Sequence, residues 1–282
     1  MLLIFGILVV FSCVFGGFLL GQGQLLALWQ PNELIIIGGA ACGSFIISNP
    51  FRVIIDTIRE FFKLLFYRKY KKIFYLNLFL LLYGLGTKIR RSGLLSIEED
   101  IEAPETSVVF GKHPVILADK RLMDFICDNM RVVISGNLSG NELENLLDNS
   151  IELLEEELEK PASAIGIVAD AFPGFGIVAA VLGIVITMQS LGGDPSLLGI
   201  KVAAALVGTF LGVLLSYGLV GPIGLAIGNQ ARKELKVYYC IKIILLALVG
   251  GTAPKMAIEY ARRTLYSDVR PSFLELEEYI RS

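Results

Sequence analysis

The sequence is poor in the residues that usually carry chemistry. It has one histidine and four cysteines among 282 residues, and Cys13, Cys42, Cys127 and Cys240 stand far apart. That spacing implies neither a disulfide framework nor a metal-ligand set. His113 precedes Pro114 in a loop with no cysteine or carboxylate cluster beside it, so no metal or catalytic role is assigned to it. The phosphate-binding pattern GxxxxGK[ST] is missing, and no nucleophile–base pair is visible. The expectation is therefore no catalytic residue, no cofactor and no ATP-driven work. Net charge is −2, which gives no argument for nucleic acid as a partner. Charge is absent altogether from residues 1–32, Glu33 being the first.

Apolar types make up 54% of the chain, which fits a membrane protein with sizeable polar parts. Met1 to Leu20 is long enough to span a bilayer. No Lys or Arg precedes this run, so it is read as a retained first helix rather than a signal peptide. Trp29 follows at an interfacial depth. Leu34 to Asn49 forms the core of a second span, rich in glycine and alanine, which lets helices approach closely. A polar region opens at Arg52 with Arg59, Lys63, Arg68, Lys69, Lys71 and Lys72. The apolar stretch IFYLNLFLLLYGL at residues 73–85 is short for a span and reads as a buried or interfacial helix. Residues 115–160 read as polar helices. Pro161 to Leu191 and Gly199 to Ile227 supply the third and fourth spans, joined by the short loop GGDPSLL. The segment YYCIKIILLALVGG contains Lys242 and is placed in a cytoplasmic helix.

The fold class expected is all-α: a polytopic membrane protein with four transmembrane helices and a helical cytoplasmic domain. Its parts are a first hairpin at 1–51, a cytoplasmic domain at 52–160, a second hairpin at 161–227 and C-terminal cytoplasmic helices at 228–282. Lys and Arg number 15 in residues 52–160 and nine after 229, with Lys201 as the remaining one. This excess places the polar region and both termini in the cytoplasm.

The chain from Asp170 to Pro222 draws attention because each of its two spans carries a proline inside an apolar run, Pro173 and Pro222. A proline removes a helix hydrogen bond and bends the axis, which suggests a moving part or an ion path. Helical spacing puts Gly176, Ala180, Gly183 and Thr187 on one face of the third span. It puts Ala205, Thr209, Gly212 and Ser216 on one face of the fourth. These faces are either close packing surfaces or the lining of a path. Thr209 can also bond its own i−4 carbonyl. Asp170 either caps the third helix at its N-terminal dipole or receives protons at the cytoplasmic exit. Glu33, Asp194 and Lys201 lie at or near the external side, and no ionisable group falls at mid-membrane. An ion path built on this chain must therefore borrow its acid from a partner. Arg90, Arg91, Glu98, Glu99 and Asp100 form opposite-sign clusters, either a solvated face or an electrostatic docking surface.

Five stretches carry a family resemblance: VFGGFLLGQGQLLALWQPNELIIIGGAACGSFI, ILADKRLMDFI, FPGFGIVAAVLGIV, ALVGTFLGVLLSYG and RRTLYSDVRPSFLELEEYI. In this order and over essentially the whole chain, the sequence resembles the MotA family of flagellar motor stator subunits. ExbB and TolQ, proton-driven energisers of outer-membrane systems, look like distant relatives and are the alternative. The resemblance implies a homopentamer in the bacterial inner membrane around a dimer of MotB, which supplies an ion-binding aspartate. Proton passage then drives torque on the rotor protein FliG. Carried over by motif, Pro173 and Pro222 are coupling prolines, Arg90 and Glu98 are rotor-facing charges, and Ala180 and Thr209 line the ion path beside Gly176 and Asp170. Sodium-driven relatives typically have threonine where Ala180 stands. Alanine offers no oxygen ligand, so the expected coupling ion is H⁺ rather than sodium. Ser150 stands where many relatives have an acid. A secondary transporter would predict inverted repeats and a mid-membrane site, and neither is visible.

Overall fold

A computed structural model describes residues 2–66, 70–136, 139–189 and 195–281. Arg68, Lys69 and the Asp194 end of the GGDPSLL loop lie outside the described residues. Among those described, the chain is helical throughout, with no strand. Its main helices are α1 (Leu2–Leu20), α2 (Pro31–Ser48), α3 (Phe51–Phe66), α4 (Lys72–Ser92), α5 (Glu98–Glu102), α6 (Lys120–Ser135), α7 (Gly140–Met188), α8 (Pro195–Leu215), α9 (Gly221–Val249), α10 (Pro254–Arg263) and α11 (Phe273–Arg281). They form two compact units. The first holds Met1–Tyr67 with Leu158–Gln230, and the second Arg68–Glu157 with Ala231–Ser282. Helices α7 and α9 contribute to both.

The first unit is apolar on its outside. None of the residues of α1 is buried, and Leu2, Phe5 and Leu8 are open along its length. A soluble helix hides such a surface, and one in lipid does not need to. Its core is small: Ile37, Ala179, Val207 and Leu211, with Phe172, Phe175 and Phe210 packed around them.

In the second unit the apolar run near residue 80 is the centre. It forms a 21-residue helix, α4, longer than its apolar letters because TKIRRS continues it. By length and composition this is one of five segments among the described residues able to cross a membrane. Half of its most apolar window is nonetheless buried within the unit, against none for α1. Phe74, Leu78, Phe79, Leu82 and Leu85 are covered on several sides, and α10 and α11 pack on it. This is the environment of a core helix.

Polar detail around α4 follows sequence signals. Ser139 and Glu142 exchange bonds at the start of α7: the Ser139 amide donates to Glu142 Oε2 at 2.8 Å, and the Glu142 amide donates to Ser139 Oγ at 3.3 Å. Ser272 and Glu275 repeat this capping box at the start of α11, satisfying backbone donors that a helix leaves unpaired. In the RRTLYSDVRP stretch, Arg262 donates to both oxygens of buried Glu259, at 2.6 and 2.8 Å, and to the Pro271 carbonyl at 2.9 Å. The Arg262 bonds to Glu259, with a further one from Arg263 Nε at 2.8 Å, hold the Glu259 carboxyl down to about 2. Lys242 is drawn into α9 by Asp148 and Glu144 at 2.5 and 3.4 Å, which explains a lysine inside an apolar run. His113 is buried, and its Nδ1 lies 3.3 Å from Asn77 Oδ1. Burial, with Lys112 beside it, moves its pKa down, so the ring is a neutral, partnered part of the core.

Candidate functional site

The helix carrying Pro173 does not begin at Pro161. Helix α7 is continuous for 49 residues and contains both prolines. Each proline costs it one backbone bond, a local loss that a long, packed helix absorbs. Continuity also removes one of the two readings of Asp170. That residue stands thirty positions past the start of α7, so no N-terminal dipole acts on it. Its side chain is exposed.

The two small-residue faces meet each other. A methyl placed at Gly176 would lie 2.8 Å from the Gly208 carbonyl oxygen, 3.1 Å from Gly212 Cα and 3.3 Å from Thr209 Cα. One at Gly183 would lie 2.8 Å from Ala205 Cβ, and one at Gly212 would lie 2.6 Å from the Phe172 carbonyl oxygen. The seam between α7 and α8 is thus backbone against backbone, and glycine is required at its contacts. Gly176 faces α8 and is buried in this seam. Ala180 is 8% exposed, and its amide nitrogen would meet a methyl at Gly208 at 3.2 Å. Thr209 is half-buried. Among the described residues its hydroxyl has no hydrogen bond, so the i−4 back-bond is not made. Thr187 does make it, donating to the Gly183 carbonyl at 2.8 Å. Gly176, Ala180 and Thr209 are therefore brought together, whereas Thr187 serves its own helix.

Pro222 follows a π-helical turn rather than the plain α-helical run expected. Before it, Ser216–Val220 form a π-helical turn, with the Gly221 amide donating to the Ser216 carbonyl five residues back. Pro222 has no amide to give the Gly218 carbonyl, and the widened turn absorbs that loss. A methyl at Gly221 would lie 3.0 Å from the Ser216 oxygen. The hydroxyl of Ser216 is buried without a partner. Turns of this type often mark functional positions.

Sequence reasoning put Glu33 at or near the external side and left its surroundings open; the structure shows that it is buried. Glu33 continues the buried stripe of α2, Glu33–Ile37–Ala41, and is 7% exposed. Its Oε2 would lie 2.6 Å from a methyl at Gly208 and its Oε1 3.3 Å from one at Gly183. The chain therefore brings an acid of its own against the seam that holds Ala180. The i, i+4, i+8 spacing of Glu33 with Ile37 and Ala41 is the sequence signal that could have found it.

In the second unit, Arg90 and Glu98 are both exposed. Arg90 and Arg91 close the last turn of α4, and Glu98, Glu99 and Asp100 open α5. Each set has the sign its helix end favours. Asp100 leaves the exposed cluster: it is buried, bonded to Lys88 Nζ at 2.7 Å and to the Ser107 hydroxyl at 2.6 Å. Ser150 donates its hydroxyl to the Leu146 carbonyl. It lines a shallow groove with Arg121, Phe125 and Tyr238.

A helical unit with an apolar surface, a glycine seam and in-helix prolines is the architecture of a polytopic membrane protein, and residues 118–238 match the model of the MotA/TolQ/ExbB proton channel family. Residues 4–93 match the motility protein A N-terminal model. The chain belongs to the motility protein A family. It is 46% identical to motility protein A of Salmonella typhimurium over 283 aligned positions, covering 100% of this chain and 96% of that protein. The same figures hold for motility protein A of Escherichia coli. In fold it is similar to the C. jejuni MotAB structure at a TM-score of 0.77, with 19% identity over 96% of this chain and 98% of that one. It is also similar to the flagellar MotAB stator complex of Bacillus subtilis at 0.70, with 22% identity over 91% and 92%.

Proposed function

We propose that this chain is the membrane-embedded stator subunit of a flagellar motor, working with a MotB-type partner in the bacterial inner membrane. Four spans cross the bilayer: α1, α2, the second half of α7, and α8 continued into the start of α9. Both termini and the second unit are cytoplasmic, on the strength of the Lys and Arg distribution. Five copies enclose a partner dimer, whose aspartate carries the travelling ion past Ala180 and Thr209. Asp170 stands at the cytoplasmic exit. Pro173 and Pro222 let α7 and the α8–α9 rod change shape as the ion passes, and Arg90 and Glu98 meet the rotor protein FliG.

The observation that carries this reading is the junction of Gly176, Ala180 and Thr209 on one glycine seam, in a chain that matches motility proteins over its full length. The full-length relatives at 46% identity are motility proteins, which favours this reading over the energiser alternative. Protons fit the site better than sodium. A dehydrated sodium ion needs several oxygen ligands, whereas Ala180 offers none and Thr209 one hydroxyl.

The test is co-purification with the partner and reconstitution into vesicles. Proton flux is expected with the partner's aspartate and not without it. A specific coupled current carried by the isolated chain refutes the reading. Swimming that follows the sodium gradient and ignores a proton uncoupler refutes the choice of ion.

The exposed charges make a separate prediction. Arg90→Glu should lower torque, measured as the rotation speed of tethered cells, and a compensating charge change on the rotor protein should restore part of it. Absence of any rescue assigns Arg90 to the solvated face.

A further inference from the structure

Glu33 is a carboxylate that the structure buries without giving both its oxygens a partner. It is more than nine-tenths buried, and Oε2 has no hydrogen bond. Its seat is formed by two glycines on two helices, Gly183 of α7 and Gly208 of α8, and any side chain at 208 would occupy the place of Oε2. A leucine would fill this stripe position at no polar cost. A structural carboxylate would normally be bonded by a donor. Thr187, one turn beyond Gly183 on the same face, is already committed to a backbone carbonyl.

The seat adjoins the residues placed on the ion path. Ala180 contacts Gly208 through its backbone, and Thr209 is the next residue in the chain. The other charged side chains on the membrane parts of these three helices are Asp170 and Lys201. Asp170 lies 13 residues before Gly183 on α7, about 20 Å along a helix. Lys201 lies seven residues before Gly208 on α8, about 10 Å along the axis. Helix α1 and the short helix Leu25–Leu28 carry no charge.

We infer that Glu33 is a second proton-holding carboxyl on the path, supplied by this chain, which takes up the proton on the external side of Ala180 and Thr209 and passes it inward to the partner's acid. The inference rests on the stator reading above. The bare Oε2 is the atom that binds and releases the proton, and no bond other than O–H forms or breaks. The sequence-based conclusion that the acid is wholly borrowed is thereby revised: one carboxyl comes from the partner and one from each copy of this chain.

The test uses the full complex with its partner, in vesicles holding a pH-sensitive dye, with proton flux recorded as external pH is varied. Glu33→Gln should lower the flux at least about tenfold, the scale of losing a positioned proton-transfer group, and flatten its external-pH dependence. Glu33→Asp should keep flux and move the midpoint of that dependence. Wild-type flux and profile in Glu33→Gln overturn the inference while leaving the stator reading intact. If Glu33→Gln fails to assemble, Glu33→Asp decides: an unchanged midpoint, whatever the amplitude, makes the residue structural and overturns the inference. A wild-type complex that carries no proton flux sinks the stator reading, and this inference with it.

Discussion

Pro173→Ala is expected to stop rotation while leaving the chain inserted and assembled. Pro173 lies in the interior of α7, half-buried, beside the contact of the Phe172 carbonyl with Gly212. Its ring withholds a hydrogen bond from the Ala169 carbonyl and keeps α7 bendable there. Alanine restores that bond and a helical geometry worth about 3 kcal/mol relative to proline in a helix interior. A helix that exchanges between two shapes as an ion passes is then biased toward one of them by roughly a hundredfold. The substitution removes no contact of the glycine seam and adds no charge, so membrane content and partner co-purification should match the wild type. The measurements are swarm diameter in soft agar and the amount of chain in the membrane fraction. A normal swarm at normal abundance would remove Pro173 from the coupling mechanism.

Pro222 should respond less sharply than Pro173. The π-helical turn Ser216–Val220 already widens the backbone ahead of it, held by the Gly221 amide on the Ser216 carbonyl. Two features loosen the backbone at this position, and removing the proline takes away one. Around Pro173, α7 is continuous α-helix with no such turn, so the proline acts there alone. This asymmetry was hidden in the sequence, where the two prolines look alike inside apolar runs.

Much of the helical architecture is legible from periodicity, because an apolar stripe or a run of small residues has only one way to sit on a helix. The faces through Gly176 and Thr209 are readable for that reason. That they face each other is not, since spacing gives a face and never its neighbour. Gly208 was passed over because it falls one position off the Ala205–Thr209–Gly212 stripe, yet it contacts both Ala180 and Glu33. The burial of Glu33 is hidden for a physical reason: an acid in the first turn of a helix is what a favourable dipole interaction alone would produce. Only its register with Ile37 and Ala41 tells of burial. The third span reads from Pro161, where the polar letters end, and that boundary does not reveal that the helix itself starts at Gly140. Asp100 shows the same difficulty among charges. It reads with Glu98 and Glu99 as one acidic run, and the helical turn sends it inward to Lys88 and Ser107.

Gly212→Val should abolish swimming through loss of the seam, with less assembled complex recovered. A Cβ at 212 falls 2.6 Å from the Phe172 carbonyl oxygen and 2.9 Å from Gly176 Cα. Both are backbone atoms, so no side-chain rotation relieves the contact and the helices must separate. Overpacking of a core costs about 1–3 kcal/mol where side chains can adjust, and here they cannot. Separating the helices also moves Thr209 from Gly176 and opens the Gly208 seat of Glu33, so the damage reaches every residue placed on the path. A matched substitution isolates the cause. Gly166→Ala lies on the same helix α7, with nothing within 4 Å of the added methyl. It should stabilise the chain by up to about 1 kcal/mol, since alanine is the better helix former. The thermal midpoint of the detergent-solubilised complex should therefore fall for Gly212→Val and hold or rise for Gly166→Ala. Equal midpoints for the two variants would mean that the α7–α8 contact is not what holds the path residues together.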